Sequence, residues 1–462
     1  MLPPTKISLA VINPNTLEKS GEIPLINASD LEMIRKAMLK GVSLLKQTSA
    51  HTRSHWLTRI AEEILEHSQE LSLLIASEGG KPLKDARVEV QRAAITFKLC
   101  AEEALVTEEE PADLSSSPQA AGKKIKAMRF PIGPVLALSA FNHPLNLLAH
   151  QVGTALAAGN PICFKPSPAT PYCAQWLSET LRKMGVDPAI ALLIHADIPE
   201  IEALVAHPVF KFVSFVGSAQ IGWSLRSKLA PGTRLALEHG GVATAIVCAD
   251  ADLELAAKSL CKGAFYHAGQ VCISTQKIFV QQKVFDLFLE KFCAMAAKLV
   301  VDDARLETTD IGPLIRPEVK IKMSRWMAEA KELGAQIALE NKDTRPQFMS
   351  PTILTHVPAH ALLMREEAFA PVVCVNPYVE INDCYQAIED SPYHFAASIF
   401  TQDSSLIEEA EQKMACMNLM INDHTAWRVD AMAFGGHEQS GLGMGGVKWA
   451  VSEQTRLKQV IS

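Results

Sequence analysis

Short apolar segments alternate with helical segments from Ile132 onward, and this alternation constrains the fold more than any other feature of the sequence. The predicted strands and helices of this series lie at residues 135–139, 147–158, 161–165, 171–184, 190–194 and 212–216. Parallel strands need a long crossover connection, usually a helix, so the pattern predicts a doubly wound parallel sheet. A second series begins at residues 244–248 and continues at 277–280, which indicates a second α/β unit.

The segment before this series is predicted to be mostly helical. Asp30 is a candidate N-cap for a helix that ends near Lys46, and two further amphipathic helices are predicted at residues 53–77 and 83–103. Residues 108–126 are rich in glutamate, serine and proline, so we expect a polar excursion or hairpin between domain elements there.

Length and charge exclude several classes of function. At 462 residues the chain should form two or three domains of roughly 100–200 residues each. Its net charge of −7 argues against a nucleic-acid surface, and no apolar run approaches the ~20 residues that span a bilayer. The first six residues lack the basic-then-apolar pattern of a secretory signal. We therefore expect a cytoplasmic protein with neither a nucleic-acid nor a membrane partner.

None of the ten cysteines forms a C-x-x-C pair, and no H-E-x-x-H run occurs among the histidines. Zinc-ribbon and thioredoxin-type motifs are therefore not expected. We predict reduced thiols and no bound metal.

Cys272 and Glu238 are the residues best suited to chemistry. Cys272 ends the run Gly269-Gln-Val-Cys272, and Glu238 begins the run Glu238-His-Gly-Gly241. A thiolate can attack a carbonyl carbon, and a nearby carboxylate can deprotonate the thiol or a later water. On this pattern alone, Cys272 also fits a buried structural thiol.

The expected sign of a dinucleotide site, G-x-G-x-x-G, does not follow the first strand of the series. Gly217-Ser218 instead ends a strand and opens a helix, and exposed amides at a helix N-terminus suit a phosphate. Lys165 lies at the end of another predicted strand, where ligands of α/β proteins collect. A plain turn and a solvated lysine fit the same residues, so the pattern leaves both interpretations open.

Together these pieces resemble the aldehyde dehydrogenase superfamily from about Leu31 to the C-terminus. The blocks that carry the resemblance, in the order in which the family has them, are Pro131–Pro134 with Phe141–Pro144, Lys165–Ser167, Phe215–Ser218, Glu238–Gly241, Gly269–Cys272, Glu366–Pro371, and Phe434–Gly436 with Ser440–Gly443. Each block is weak alone, but their shared order over more than half of the chain is specific.

The resemblance implies a role for each matching residue. Cys272 matches the nucleophile that forms a thiohemiacetal and then a thioester, Asn142 matches the side-chain donor to the oxyanion, and Glu238 matches the base that activates the hydrolytic water. The residues that match the family's binding site for NAD or NADP are Lys165, Ser167, Gly217, Ser218, Glu367 and Phe369.

The same resemblance implies two doubly wound α/β domains and a small β oligomerisation arm, hence a homodimer or homotetramer. The expected boundaries are residues 1–107 and 130–237 for the cofactor domain, 238–433 for the catalytic domain, 108–129 and 449–462 for the arm, and 434–448 for a return segment to the cofactor domain.

The sequence departs from the family pattern at several positions, and one of these departures, at Pro168, affects the expected cofactor. His239 stands where the family has leucine, but the base and both glycines are kept. Pro168 stands where many members that use only NAD carry a glutamate that bonds the adenosine ribose. Without that carboxylate nothing obvious repels a 2′-phosphate, so the choice between NAD and NADP stays open.

The substrate is predicted from residues that align near the aldehyde tunnel, namely His143, His150, His424 and Arg428. A guanidinium pairs well with a carboxylate or phosphate, so this set favours a small hydroxylated or anionic aldehyde. The presence of Glu238 favours hydrolysis to a free acid over transfer to coenzyme A. Arg428 also fits a structural ion pair with Asp430.

Two other functions remain as alternatives. One is a catalytically silent relative with a structural or binding role, against which the retained Cys272, Glu238 and Asn142 argue. The other is a thiol esterase that needs no cofactor, against which the retained Lys165 and Glu367 argue.

Overall fold

The computed structural model describes residues 8–106, 108–109, 118–120 and 122–462. Its strands are β1 Ser8–Ile12, β2 Lys19–Pro24, β3 Glu108–Glu109, β4 Ile125–Pro131, β5 Val135–Leu138, β6 Ile162–Lys165, β7 Ala191–Leu193, β8 Phe212–Val216, β9 Arg234–Glu238, β10 Ala243–Val247, β11 Thr275–Gln281, β12 Gln336–Glu340, β13 Thr352–Thr355, β14 Val372–Tyr378, β15 Tyr393–His394, β16 Ala396–Phe400, β17 Asn418–Ile421, β18 His437–Glu438, β19 Gly441–Leu442 and β20 Thr455–Ile461.

The helices are α1 Leu31–Lys46, α2 Ala50–Glu66, α3 Ser68–Gly79, α4 Leu83–Glu103, α5 Asn146–Leu148, α6 Thr154–Ala157, α7 Tyr172–Lys183, α8 Ile198–Val205, α9 Ala219–Arg226, α10 Leu253–Phe265, α11 Phe285–Ala296, α12 Glu318–Glu332, α13 Leu362–Arg365, α14 Ile381–Glu389, α15 Ser404–Lys413 and α16 Val447–Glu453. Within the described ranges no helix is both long and apolar enough to cross a membrane.

Strands β5 to β9 and β19 form one sheet in the order β19-β9-β8-β5-β6-β7. Its first five strands in the chain run parallel, and β19 joins the edge antiparallel to β9. The chain winds outward from β5 in both directions, through β6 to β7 and through β8 to β9. The sheet therefore has a topological switch point beside β5, and ligands of such sheets bind at the carboxyl ends of the strands there.

A second sheet has the order β12-β13-β14-β11-β10-β16-β17. Six of its strands are parallel, and β12 pairs antiparallel with β13 at the edge. Strand β10 is buried along its whole length between β11 and β16, as expected for a central parallel strand. The predicted α/β class with two doubly wound units is confirmed.

A third, antiparallel sheet has the order β20-β4-β3. Strand β20 pairs with β4 from Thr455 opposite Pro131 to Ile461 opposite Ile125. This sheet occupies the chain segments predicted to form the arm, although residues 110–117 and 121 of that prediction lie outside the described residues. Its role in oligomerisation and the domain boundaries stay predictions.

Helices α2, α3 and α4 cover one face of the first sheet, and their apolar faces share one core with β5 and β6. The prediction of one continuous helix over residues 53–77 was wrong, because the chain leaves helical dihedral angles at His67 (ψ 21°). The bend allows both α2 and α3 to pack against α4. The predicted helix 83–103 coincides with α4, and α1 begins directly after Asp30 as predicted.

The predicted helix at 147–158 is helical but not regular. Residues Ala149–Gly153 form a π-helical turn between α5 and α6. Such turns carry one extra residue and are frequent at functional sites. The turn contains His150, so it affects where that side chain points.

Candidate active site

A cavity of about 500 Å³ lies at the carboxyl ends of the β5, β6, β8 and β9 strands and reaches the Cys272 loop. Most of the residues that the sequence singled out line it. These are Asn142, His143, Lys165, Ser167, Gly217, Ser218, Glu238, Cys272, Glu367, Phe369 and Arg428. His150 and His424 do not line it.

The loop before Cys272 is held in an uncommon backbone conformation. His267, Ala268 and Gly269 all have positive φ angles, of 48°, 56° and 69°. A non-glycine residue in this region costs of order 1–3 kcal/mol, and such strain collects at functional sites. A side chain at Gly269 would overlap the Ala370 carbonyl. The close approach of Gly269 to Ala370 fixes the position of the loop and, with it, the position of the Cys272 thiol.

Burial raises the pKa of the Cys272 thiol to about 12, so the thiol is protonated at neutral pH in the absence of ligands. The Arg428 guanidinium opposes this shift, and the Glu238 and Glu367 carboxylates add to it. A buried thiol of this kind needs a base to become a nucleophile.

Asn142 is tied to the same loop. It is buried, and its Nδ2 donates to the Gln270 carbonyl over 3.0 Å. Gln270 is itself fixed, because its Oε1 accepts from the Ile315 amide over 2.9 Å. One hydrogen of the Asn142 amide is used in this bond, and the other remains for a ligand in the cavity that Cys272 also lines, as an oxyanion donor requires.

Glu238 ends β9 at the edge where β19 pairs with it, Gly441 lying opposite. Burial raises its pKa above the ordinary carboxyl value, Glu453 adds to the rise, and Arg428 opposes it. A Cβ at Gly445 would lie 2.5 Å from Glu238 Oε1. Gly445 therefore provides the space that the Glu238 carboxylate occupies.

Arg428 lines the cavity, and no carboxylate in the described part of the chain pairs with it. Asp430 pairs instead with Arg92, through two hydrogen bonds of 2.8 and 2.9 Å. The Arg428 guanidinium stacks 3.5 Å from the centre of the Phe434 ring, and its Nε is buried without a hydrogen-bond partner. The alternative of a structural Arg428–Asp430 pair is not what the structure shows.

His150 lies behind Arg428 rather than in the cavity. Its Nε2 is 2.9 Å from Asp430 Oδ1 and 3.1 Å from Arg428 Nη2. A carboxylate only accepts, so the Nε2 hydrogen points to Asp430 and Arg428 gains no hydrogen bond from this ring. Burial and the nearby Arg428 lower the pKa of His150 to about 4, so the ring is neutral.

The other two predicted histidines differ in position. His424 is buried with its Cβ packed against Gly263, away from the cavity lining. His143 does line the cavity, directly after Asn142. The structure therefore brings His143 and Arg428 to the substrate side, and it gives no support to direct substrate contact by His150 or His424.

Residues 217 and 218 form the turn between β8 and α9. The Gly217 amide donates to the Glu238 carbonyl over 3.1 Å, and the His239 ring Nδ1 donates to the Gly217 carbonyl over 2.9 Å. Ser218 is the N-cap of α9, but its hydroxyl makes no capping bond. That hydroxyl and the first amides of α9 are available to a phosphate.

Glu367 and Phe369 lie across the cavity from this turn. Phe369 has a positive φ of 51° and contacts Phe141 edge to face, with ring centres 5.9 Å apart. Glu367 packs over Gly240, where any side chain would overlap its carboxylate. Burial raises the pKa of Glu367 to about 7, and its Oε1 is buried without a partner.

The sequence matches the aldehyde dehydrogenase family model over residues 3–460. The chain belongs to the aldehyde dehydrogenase family. Members of this family are NAD(P)-dependent oxidoreductases, so the predicted enzyme class is confirmed. The fold, the cavity and the order of the motif blocks all agree with this membership.

Individual relatives match almost the whole chain. A 3-sulfolactaldehyde dehydrogenase of Priestia aryabhattai is 35% identical over 99% of this chain and 95% of its own length. A lactaldehyde dehydrogenase of Methanocaldococcus jannaschii is 35% identical over 98% of this chain and 96% of its own. The crystal structure of glyceraldehyde-3-phosphate dehydrogenase GapN from the same archaeon, complexed with NADP, superposes with a TM-score of 0.93 at 33% identity, over 99% and 100% of the two chains.

The residues of this aldehyde dehydrogenase fit a dinucleotide. The orphaned Glu367 Oε1 has no described protein partner and can accept from a ribose hydroxyl. Lys165 ends β6 and lines the cavity, so its amine can donate to a second ribose. Burial lowers the pKa of this lysine to about 8. The free Ser218 hydroxyl completes a set suited to ribose and phosphate oxygens.

Several residues of the site were not found from the sequence. Arg92 and Tyr266 line the cavity, and Lys81 and Glu89 lie directly behind it. Lys322 also lines it and contributes to the charge around Glu367. Arg92 and Glu89 lie on α4, far from the motif blocks in sequence, and no local pattern indicates that this helix faces the cavity.

All ten cysteines lie in the described part of the chain, and each is a free thiol. Within that part no group of three or more histidine, cysteine or acidic side chains could hold a metal ion. The absence of a metal remains a prediction.

Proposed function

We propose that this aldehyde dehydrogenase oxidises a small anionic or hydroxylated aldehyde to the free carboxylic acid, with NADP or NAD as the oxidant. The observation that carries the proposal is the unpaired Arg428 guanidinium, which lies close enough to Cys272 and Glu238 to shift the pKa of both. A desolvated guanidinium with a free Nε favours a ligand that brings its own negative charge.

The chemistry begins at Cys272. Glu238 takes the thiol proton as Sγ attacks the aldehyde carbon, and the oxygen that becomes negative receives hydrogen bonds from the Asn142 amide and the Cys272 backbone N–H. A dinucleotide held by Lys165, Ser218 and Glu367 would supply the hydride acceptor needed to oxidise the thiohemiacetal to a thioester. Glu238 releases the thiol proton to solvent, takes a proton from the water that attacks the thioester carbon, and passes it to Sγ as the acid leaves, which restores the Cys272 thiol.

The ribose side of the cavity favours a cofactor with a 2′-phosphate. Pro168 lines the cavity between Ser167 and Ala169, where a glutamate would repel that phosphate. Lys165 adds a positive charge at the same place. We therefore expect NADP to bind at least as tightly as NAD.

The deciding experiment is a panel of aldehydes with each dinucleotide. Purified protein is mixed with succinic semialdehyde, lactaldehyde, glycolaldehyde and a long-chain aldehyde, and dinucleotide reduction is followed by near-ultraviolet absorbance. The proposal expects reduction with the short polar aldehydes and little with the long one. Ester hydrolysis without any dinucleotide reduction would support the thiol esterase, and no reaction with a reduced Cys272 would support the silent relative.

Replacing Arg428 by leucine should lower kcat/KM for an anionic aldehyde by roughly 10- to 100-fold, because a hydrogen bond to a charged group is worth about 1.5–3 kcal/mol. A neutral aldehyde of similar size should change little. The matched control is Arg428→Lys, which keeps the charge but loses the planar donor pair. Equal losses for the anionic and the neutral aldehyde would contradict an anion-binding role.

We also propose that the protein forms a homodimer or homotetramer through the arm that contains β20. Leu457, Val460 and Ile461 are exposed on β20, and a second subunit would cover them. Light scattering of the purified protein should give the mass of a homodimer or homotetramer, and a monomer at micromolar concentration would contradict the arm assignment. The cytoplasmic location stays an expectation, which cell fractionation would check.

A further inference from the structure

A buried ion pair supports the loop that carries Asn142. Lys81 and Glu89 are both fully buried and hydrogen-bonded to each other. Glu89 Oε1 also accepts from the backbone amides of Leu145 and Asn146, over 2.9 and 3.2 Å. The pair therefore holds residues 142–146 from behind, opposite the cavity.

The same ion pair fixes the tautomer of His143. Lys81 Nζ lies 2.7 Å from His143 Nδ1, whereas the nearest Glu89 oxygen lies 3.6 Å from that nitrogen. An ammonium group has no lone pair, so Lys81 must donate and Nδ1 must accept. Burial and the Lys81 charge lower the pKa of His143 to about 4, which keeps the ring neutral. The single ring hydrogen is therefore on Nε2.

The ring is also fixed in orientation. It stacks on Tyr266 with an interplanar angle of 27° and ring centres 6.3 Å apart, and it is tilted against His267 at 6.4 Å. His143 lines the cavity, and no group among the described residues hydrogen-bonds its Nε2. The cavity is therefore bordered by a neutral imidazole whose orientation is set by Lys81, Tyr266 and His267.

We propose that His143 is a specificity-determining residue that donates its Nε2 hydrogen to a hydroxyl on C2 of the aldehyde. Asn142, His143 and Cys272 line the same cavity, so an aldehyde whose oxygen is held at Asn142 has its neighbouring carbons within the space that the His143 ring borders. A neutral donor suits a neutral hydroxyl, while Arg428 is available for an anionic group further along the substrate. The inference rests on the proposed function, and it narrows the substrate class to 2-hydroxyaldehydes.

Lys81 acts through His143 and is a positioning residue. Without its charge at Nδ1, the imidazole hydrogen could move to that nitrogen and leave an acceptor facing the cavity. The substrate hydroxyl would then have to donate its hydrogen to the Nε2 lone pair, instead of accepting a hydrogen from Nε2. The direction of the hydrogen bond between His143 and the 2-hydroxyl is therefore set by the Lys81–Glu89 pair, which lies behind the cavity.

The test compares lactaldehyde with propanal, which differ only in the 2-hydroxyl and carry no charge for Arg428 to bind. The native protein should prefer lactaldehyde by about 10-fold in kcat/KM, which corresponds to one hydrogen bond of about 1.4 kcal/mol. His143→Phe should lower kcat/KM for lactaldehyde by more than it lowers kcat/KM for propanal, and so remove most of this preference. His143→Gln, which retains a side-chain N–H donor, should restore part of it.

Equal losses for both aldehydes in His143→Phe would show that His143 only supports the Asn142 loop. An unchanged preference in that variant would show that the hydroxyl is read elsewhere. If no aldehyde is oxidised, the proposed function fails first, and the comparison is made as binding affinity of the two aldehydes to Cys272→Ala protein by calorimetry. Equal affinities there would overturn the His143 proposal separately.

Discussion

Replacing Cys272 by alanine is expected to lower aldehyde oxidation by at least about 10⁴-fold, because no covalent intermediate can form without Sγ. The cavity wall would lose only one sulfur atom, so the protein should fold and bind the dinucleotide normally. Dinucleotide reduction in a stopped-flow instrument measures the chemical step. Quenching of intrinsic fluorescence by added dinucleotide measures binding in the same sample.

Cys293→Ala is the matched control for this variant. Cys293 is also a partly exposed thiol, but it lies on α11 and does not line the cavity. It should retain full activity, which would separate loss of the nucleophile from a general effect of removing a thiol. A Cys272→Ala protein with more than about 1% of native turnover, in the presence of bound dinucleotide, would exclude the proposed role.

The sequence predicted the elements whose signals are local. Strand 212–216 coincides with β8 and helix 83–103 with α4, because apolar periodicity and flanking turn residues determine both. The break at His67 and the π-helical turn at Ala149–Gly153 were not predicted. The break at His67 depends on how α2 and α3 pack against α4, and the π-helical turn depends on one extra residue in the helix. Neither feature can be recognised in a short window of sequence.

The residues of the site likewise divide into those with a local sequence signal and those whose role depends on packing. Cys272, Glu238 and Asn142 lie in short runs with glycines or prolines, and the structure brings all three to one cavity. The ion pairs Lys81–Glu89 and Arg92–Asp430 were invisible in the sequence, because their effects on His143 and Arg428 arise only after α4 has packed. The misplacement of His150 and His424 has the same origin, since alignment gives a position in the chain but not the direction of a side chain.

Replacing Glu238 by glutamine should slow steady-state turnover by roughly 10²–10⁴-fold, because the amide cannot accept a proton from the thiol or from water. Thioester hydrolysis should slow more than the first dinucleotide reduction, so a burst of about one equivalent per site is expected before the slow phase. In the native protein Glu238 acts only when deprotonated, and its pKa is raised. Activity should therefore fall as pH drops through that raised value, and the glutamine variant should lose this dependence.

Gly445→Ala provides an independent approach to the same carboxylate. The new methyl group would lie 2.5 Å from Glu238 Oε1 and 2.6 Å from the Phe434 carbonyl, so both the carboxylate and the Phe434 backbone must shift. We expect slower hydrolysis, because the carboxylate can no longer occupy its present position. Undiminished steady-state turnover in Glu238→Gln would rule out Glu238 as the base. Normal turnover in Gly445→Ala would show that hydrolysis does not require the carboxylate position seen in the structure.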